Sequence, residues 1–136
     1  MRSVRWVCLV ALLAMGCSGA GPFLGPASID GRWGHSGVSV PGNSFEMDLT
    51  STGSIVSGGG SYAGEAGPFG TLAVAGTVAG LVIHLDLTFN EQLPRAGHTM
   101  TERFDGQFTS ANVLEGSITS DTPGQPPTPA SYRRFQ

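Results

Sequence analysis

From Ile29 onward, apolar and polar residues alternate in short segments divided by turn-forming residues. Side chains of an extended strand point to opposite faces in turn, so period-two alternation marks a strand with one buried face. The clearest segment is 81–89, where Leu81, Ile83, Leu85, Leu87 and Phe89 share one face and His84, Asp86 and Thr88 the other. Phe45, Met47 and Leu49 alternate in the same way with Glu46, Asp48 and Thr50. Leu72, Val74 and Val78 continue the apolar face, with Gly76 between them and a tight turn at Ala79-Gly80. Phe104, Gly106 and Phe108 oppose Arg103, Asp105 and Gln107, and Ser110-Ala111-Asn112 turns into a strand carrying Leu114, Gly116 and Ile118.

The segments 29–35, 44–50, 54–63, 69–78, 81–89, 99–109, 113–120 and 130–135 are thus eight predicted strands. The run Pro123-Gly124-Gln125-Pro126-Pro127-Thr128-Pro129 is read as a loop, because proline donates no ladder hydrogen bond. No segment after the N-terminal region shows sustained helical periodicity with caps. Segments 72–89 and 102–119 share a strand, small-residue turn, strand layout and read as successive hairpins. The expected class is all-β: a small antiparallel up-and-down barrel of about eight strands over 29–136, whose closure removes exposed edges.

The N-terminus follows another pattern. Arg2 and Arg5 precede an apolar run from Trp6 to Met15, closed by small residues before Cys17. A charged region, a short apolar region and a small-residue cleavage region make a secretory signal. The apolar run is shorter than the roughly 20 residues of a membrane-spanning helix. Residues 1–16 are therefore expected to be removed. Residues 17–28, rich in Gly, Pro and Ser, are expected to form a flexible linker.

The run Leu12-Leu13-Ala14-Met15-Gly16-Cys17 resembles the lipobox of bacterial lipoproteins, with Ala14 at the place of the usual leucine. The resemblance implies that Cys17 is lipidated and becomes the new N-terminus, with plain secretion as the other reading. Cysteine arithmetic agrees: Cys8 lies in the discarded segment, so Cys17 is left without an internal disulfide partner. Several acyl chains anchor a protein stably, at about 0.8 kcal/mol per buried methylene. Ser18, rather than an acidic residue, follows the cysteine and looks like the sorting choice for an outer membrane, facing the periplasm or the surface.

Charge narrows the function classes. Without Arg2 and Arg5, five arginines face ten carboxylates, and the chain has no lysine. The net charge of −5 lacks the basic footprint of a nucleic-acid binder. The absence of lysine excludes a Walker-type phosphate loop, a Schiff-base lysine and a Ser-Lys dyad. Gly58-Gly59-Gly60 is accordingly expected to be a strand kink or bulge, not a phosphate cradle.

Gly31-Arg32-Trp33 lies on the first predicted strand and Arg133-Arg134-Phe135 on the last. The pair resembles the calycin group, the lipocalins, avidins and their relatives. Gly58-Gly59-Gly60-Ser61-Tyr62 is loosely similar to the Gly-x-Tyr region of avidin-like chains. The resemblance implies that Trp33 seals one end of the barrel beneath an arginine of the last strand. Arg133, on the parity of Phe135, is the expected partner, which makes Gly31, Trp33 and Arg133 the barrel base. The second lipocalin motif and the tryptophans of a biotin pocket are absent, so Trp33 is read first as a core aromatic.

Candidate chemistry is sparse. Gly34-His35-Ser36-Gly37 lacks the last glycine of a nucleophile elbow, since position 38 is Val38. His35, His84 and His98 have no metal-ligand spacing, so no metal or cofactor is expected. His84 and Asp86 share the polar face of one strand, with Glu102, Arg103 or Asp105 able to lie across from them. Residues two apart on one face sit about 7 Å apart, and an ordinary solvated surface explains them. Glu46, Asp48 and Glu115 read alike, and no catalytic residue is assigned.

The leading expectation is a non-catalytic, lipid-anchored exported barrel that binds a small apolar ligand or an envelope protein partner in its interior or at its rim. One alternative is an eight-stranded transmembrane barrel, because alternation alone does not say which face points outward. Another is a small hydrolase or inhibitor module.

Overall fold

The computed structural model describes residues 28–35, 44–63, 69–94 and 96–135. The expected signal segment 1–16, the lipidation site Cys17, the linker up to residue 27 and Ser36-Gly37 lie outside the described residues.

Eight antiparallel strands follow one another in chain order: β1 (Gly31–His35), β2 (Ser44–Thr52), β3 (Ile55–Ala63), β4 (Phe69–Ala79), β5 (Val82–Leu93), β6 (His98–Ser110), β7 (Val113–Ser120) and β8 (Thr128–Arg134). Each pairs with its sequence neighbour, and β1 pairs with β8 through Trp33↔Arg134 and His35↔Tyr132, which closes the barrel. The alternation read from the sequence is the alternation of burial. Met47, Leu49, Leu72, Val74, Ile83, Leu85, Leu87, Phe104, Phe108 and Leu114 all point inward and are buried. Each such aliphatic or aromatic side chain contributes about 1.5–3 kcal/mol on leaving water.

Two expectations need correction. Pro129 belongs to β8, opposite Ser117 of β7. β1 reaches only from Tyr132 to Arg134 on the other edge of β8. Beside Pro129 that edge has no ladder partner among the described residues, and there a missing N–H breaks no bond. Gly58–Gly60 form no bulge either, since the β2–β3 register runs unbroken from Ser44↔Ala63 to Thr52↔Ile55. These glycines let two backbones approach closely: a Cβ on Gly58 would collide with the Asp48 carbonyl, and one on Gly60 with that of Glu46. The bulges fall elsewhere, at Phe69/Gly70 and Phe108/Ser110.

The two ends of the barrel differ. At one end the β2–β3, β4–β5 and β6–β7 connections are two residues each, with Gly53 and Gly80 in the left-handed conformation (φ 62° and 59°) that a tight turn demands. At the other end the four connections are four to eight residues long.

Candidate functional site at the loop-bearing end

The tight-turn end is sealed from within. Trp33 is fully buried, and its indole N–H donates to the Ile29 carbonyl at 2.8 Å. Arg134 lies over the ring with its guanidinium carbon 4.8 Å from the centroid, a cation–π contact. Its Nη2 also donates to the Ser28 carbonyl at 2.8 Å. The Asp30 carboxylate accepts from the Ser51 backbone N–H at 2.6 Å and from its hydroxyl at 2.9 Å. Hydrogen bonds from Ser28 and Ser51 hold its carboxyl below the usual range. Three consecutive residues, Ser28 to Asp30, thus tie the incoming chain across the base.

The expected arginine is the wrong one of the adjacent pair. Arg134 shares the inward parity of buried Tyr132, while Arg133 is exposed on the outer face. Phe135 misleads because its ring packs over Gly34 on the outside of β1, where a Cβ on Gly34 would strike it. Gly31 and Trp33 both lie on β1, and Trp33 is buried. Gly31 adopts φ 130°, which side-chain-bearing residues rarely do, directly beneath the Arg134 side chain.

Above the base the interior is occupied by side chains. A run of rings crosses the barrel: Phe104 meets Tyr132 edge-on at 5.0 Å, Tyr132 stacks on Phe45 at 5.3 Å, and Phe89 meets Tyr62 edge-on at 5.2 Å. Burial, and secondarily the charge of Glu102, raise the ionisation of the Tyr132 hydroxyl far above its usual range.

Beyond that layer, towards the loop-bearing end, described residues of β6 to β8 and of the β7–β8 connection border depressions. Two adjoining depressions share Ile118 and Thr128. The larger, about 750 Å³, runs along β7 and β8 past His35, Gly116 and Ala130 and reaches Glu115, Pro129 and Ser131 of the outer face. The smaller, about 390 Å³, is bounded by Glu102, Ser120, Thr122 and the Gln125-Pro126 stretch. Phe69, Leu93 and Met100 remain exposed at the same end.

Sequence reasoning placed Glu102 among residues that might face His84. The structure turns it inward, opposite Leu87 on β5 and Ser120 on β7. The signal was available, because Glu102 shares the parity of Phe104 and Phe108. Burial first, then the negative charge of Asp121, raises its carboxyl above the usual range. Glu91 was missed because the predicted strand stopped at Phe89. It is buried, and His98 Nδ1 lies 3.3 Å from its Oε2.

On the outer face the register settles the remaining candidates. His84 lies opposite Asp105, with Nδ1 2.5 Å from Oδ1, and Arg103 Nε donates to Asp86 Oδ1 at 3.1 Å. Arg32 Nε donates likewise to Asp48 Oδ1 at 3.2 Å. Arg32 and Arg103 are each raised further by the carboxylate that accepts from them. All three pairs are solvated. The three histidines are kept apart: His35 against the Tyr132 ring, His84 outside the wall and His98 at the rim. Among the described residues no group of three His, Cys, Asp or Glu could hold a metal ion.

Comparison with known proteins finds no family model, no curated protein and no solved structure that matches this chain.

Proposed function

We propose that this chain is a non-catalytic binding protein, exported and held at a membrane by lipid on Cys17, that takes a small apolar ligand at the loop-bearing mouth of its barrel. The observation that carries the reading is the inequality of the two ends. One is plugged by Trp33, Arg134 and the Ser28–Asp30 crossing, and the other opens in depressions bordered by Ile118, Thr128 and Met100. Concave apolar sites with a few polar groups are where small molecules bind. The plug of Trp33 under an arginine also supports the calycin-like resemblance, with Arg134 in the role.

The outer wall favours a water-facing body over a spanning barrel. His84, Asp86, Arg103 and Asp105 project outward from mid-strand positions. Arginine on a lipid-facing wall costs about 2–4 kcal/mol at the bilayer midplane. The chain enters the barrel at the plugged end, so a tether to Cys17 leaves the mouth directed away from the membrane.

The test is a fluorescence titration of the full chain carrying Cys17→Ser with the uncharged dye Nile red. Saturable one-site binding is expected, weakened by Ile118→Trp, which fills the mouth. It should be unchanged by Val82→Trp at the plugged end. Absence of saturable binding, or equal loss in both variants, overturns the reading. A protein partner at the same rim is the second reading, favoured by exposed Phe69, Leu93 and Met100. In that case Phe69→Asp and Leu93→Asp remove binding while Ile118→Trp does not.

A further inference from the structure

The smaller depression at the mouth contains one inward carboxylate that no described residue neutralises. Glu102 lies between buried Leu87 on β5 and Ser120 on β7, on the same face of β6 as buried Phe104, and lines the depression with Ile118 and Thr122. No described residue donates a hydrogen bond to its carboxylate or forms an ion pair with it. The described arginines are committed elsewhere: Arg32 to Asp48, Arg103 to Asp86, and Arg134 to Ser28 and the Trp33 ring, while Arg133 points outward. Arg95 lies outside the described residues. The nearest charge acting on Glu102 is of the same sign, that of Asp121. A half-buried carboxylate is costly unless a cation accompanies it. Inside a concave site walled by Ile118 and Pro126 among hydroxyl and amide side chains, that cation is supplied most simply by what the site binds.

We infer that the ligand of the mouth is an amphiphilic organic cation, a protonated amine with an apolar body. Its ammonium group sits on Glu102, and its body lies along Ile118 and the ring layer. This rests on the reading of the mouth as a ligand site and adds the chemical class of the ligand. Burial, and then the charge of Asp121, raise the ionisation of Glu102, which a bound cation would offset. Ser120 and Thr122, whose hydroxyls border the same depression, suit the remaining N–H donors of an ammonium. Asp121 adds long-range attraction for positive charge.

Two probes of nearly equal shape separate charge from hydrophobic fit: octylammonium and 1-octanol, each competed against Nile red at pH 7.5 and low salt on the Cys17→Ser full chain. Octylammonium is expected to bind about tenfold or more tightly than octanol, the worth of one charge-assisted hydrogen bond. Glu102→Gln should abolish that preference by bringing octylammonium down to the affinity of octanol. Asp121→Asn, on an exposed turn, should reduce the preference by about two- to threefold. Raising the salt should shrink it further. Equal affinity of the two probes for the unaltered mouth, or a preference that survives Glu102→Gln, overturns the cation inference and leaves the apolar site standing. Failure of both probes to displace the dye overturns the cation inference. Failure of the dye itself to bind sinks the mouth as a ligand site.

Discussion

Trp33 does three jobs: it fills the barrel base, supplies the donor for the Ile29 carbonyl and presents its face to Arg134. Trp33→Ala should therefore lose about 3–5 kcal/mol of unfolding free energy in a urea titration. A midpoint within error of the unaltered protein would contradict its place at the core. Glu102 has the opposite sign. Its carboxyl binds a proton more readily folded than unfolded, so its ionisation weakens the fold as pH rises through the ordinary carboxylate range towards the raised value. Glu102→Gln should melt above the unaltered protein at pH 7 and level with it near pH 3, where both carry a neutral side chain. The burial of Trp33 was legible in the sequence, because a large apolar ring on a predicted strand is read first as a core residue. The arginine was not. Its phase had to be taken from a neighbour, and Phe135 lies outside the wall, where only coordinates reveal it.

Strand placement was legible wherever aliphatic residues recur at every second position, as in Ile83-Leu85-Leu87, because burial of that face is what selects the register. It failed where the deciding contact belongs to another strand. Pro129 is tolerated because β1 does not reach it, and the β3 glycines are required because β2 presses on them. Gly60→Ala should cost about 1–3 kcal/mol, since its methyl group must displace the Glu46 carbonyl. Gly59→Ala, whose Cβ would meet the Leu72 carbonyl at 3.0 Å, should cost less. Equal effects in paired denaturation curves would remove the close-approach explanation. The outer pairs are a different matter. Asp105→Asn should shift stability by no more than about 1 kcal/mol, because His84 and Asp105 meet in solvent.

At the scale of the whole molecule, closure of β1 on β8 pairs the two terminal strands, and the β8 edge beside Pro129 is the stretch left without a ladder partner among the described residues. Connection length distinguishes the end filled by Trp33 and Arg134 from the end that carries the longer connections, a contrast already present in the spacing of the alternating segments. The chemistry of the mouth was hidden in that spacing, because Glu102 looks like any surface carboxylate until its parity with Phe104 is followed. Metabolic labelling with an alkynyl fatty acid should mark the unaltered chain in the membrane fraction, and Cys17→Ser should lose both label and sedimentation. An unlabelled native protein would leave the barrel without its anchor. The mouth itself is tested most directly by backbone and side-chain NMR as 1-octanol is added. The expected shifts gather at Leu87, Glu102, Ile118, Ser120 and Thr128, while the Trp33 indole, Ile29 and Ser51 stay still. Shifts centred on Trp33, or none at any residue, would contradict a barrel that is sealed at its tethered end and binds at the other.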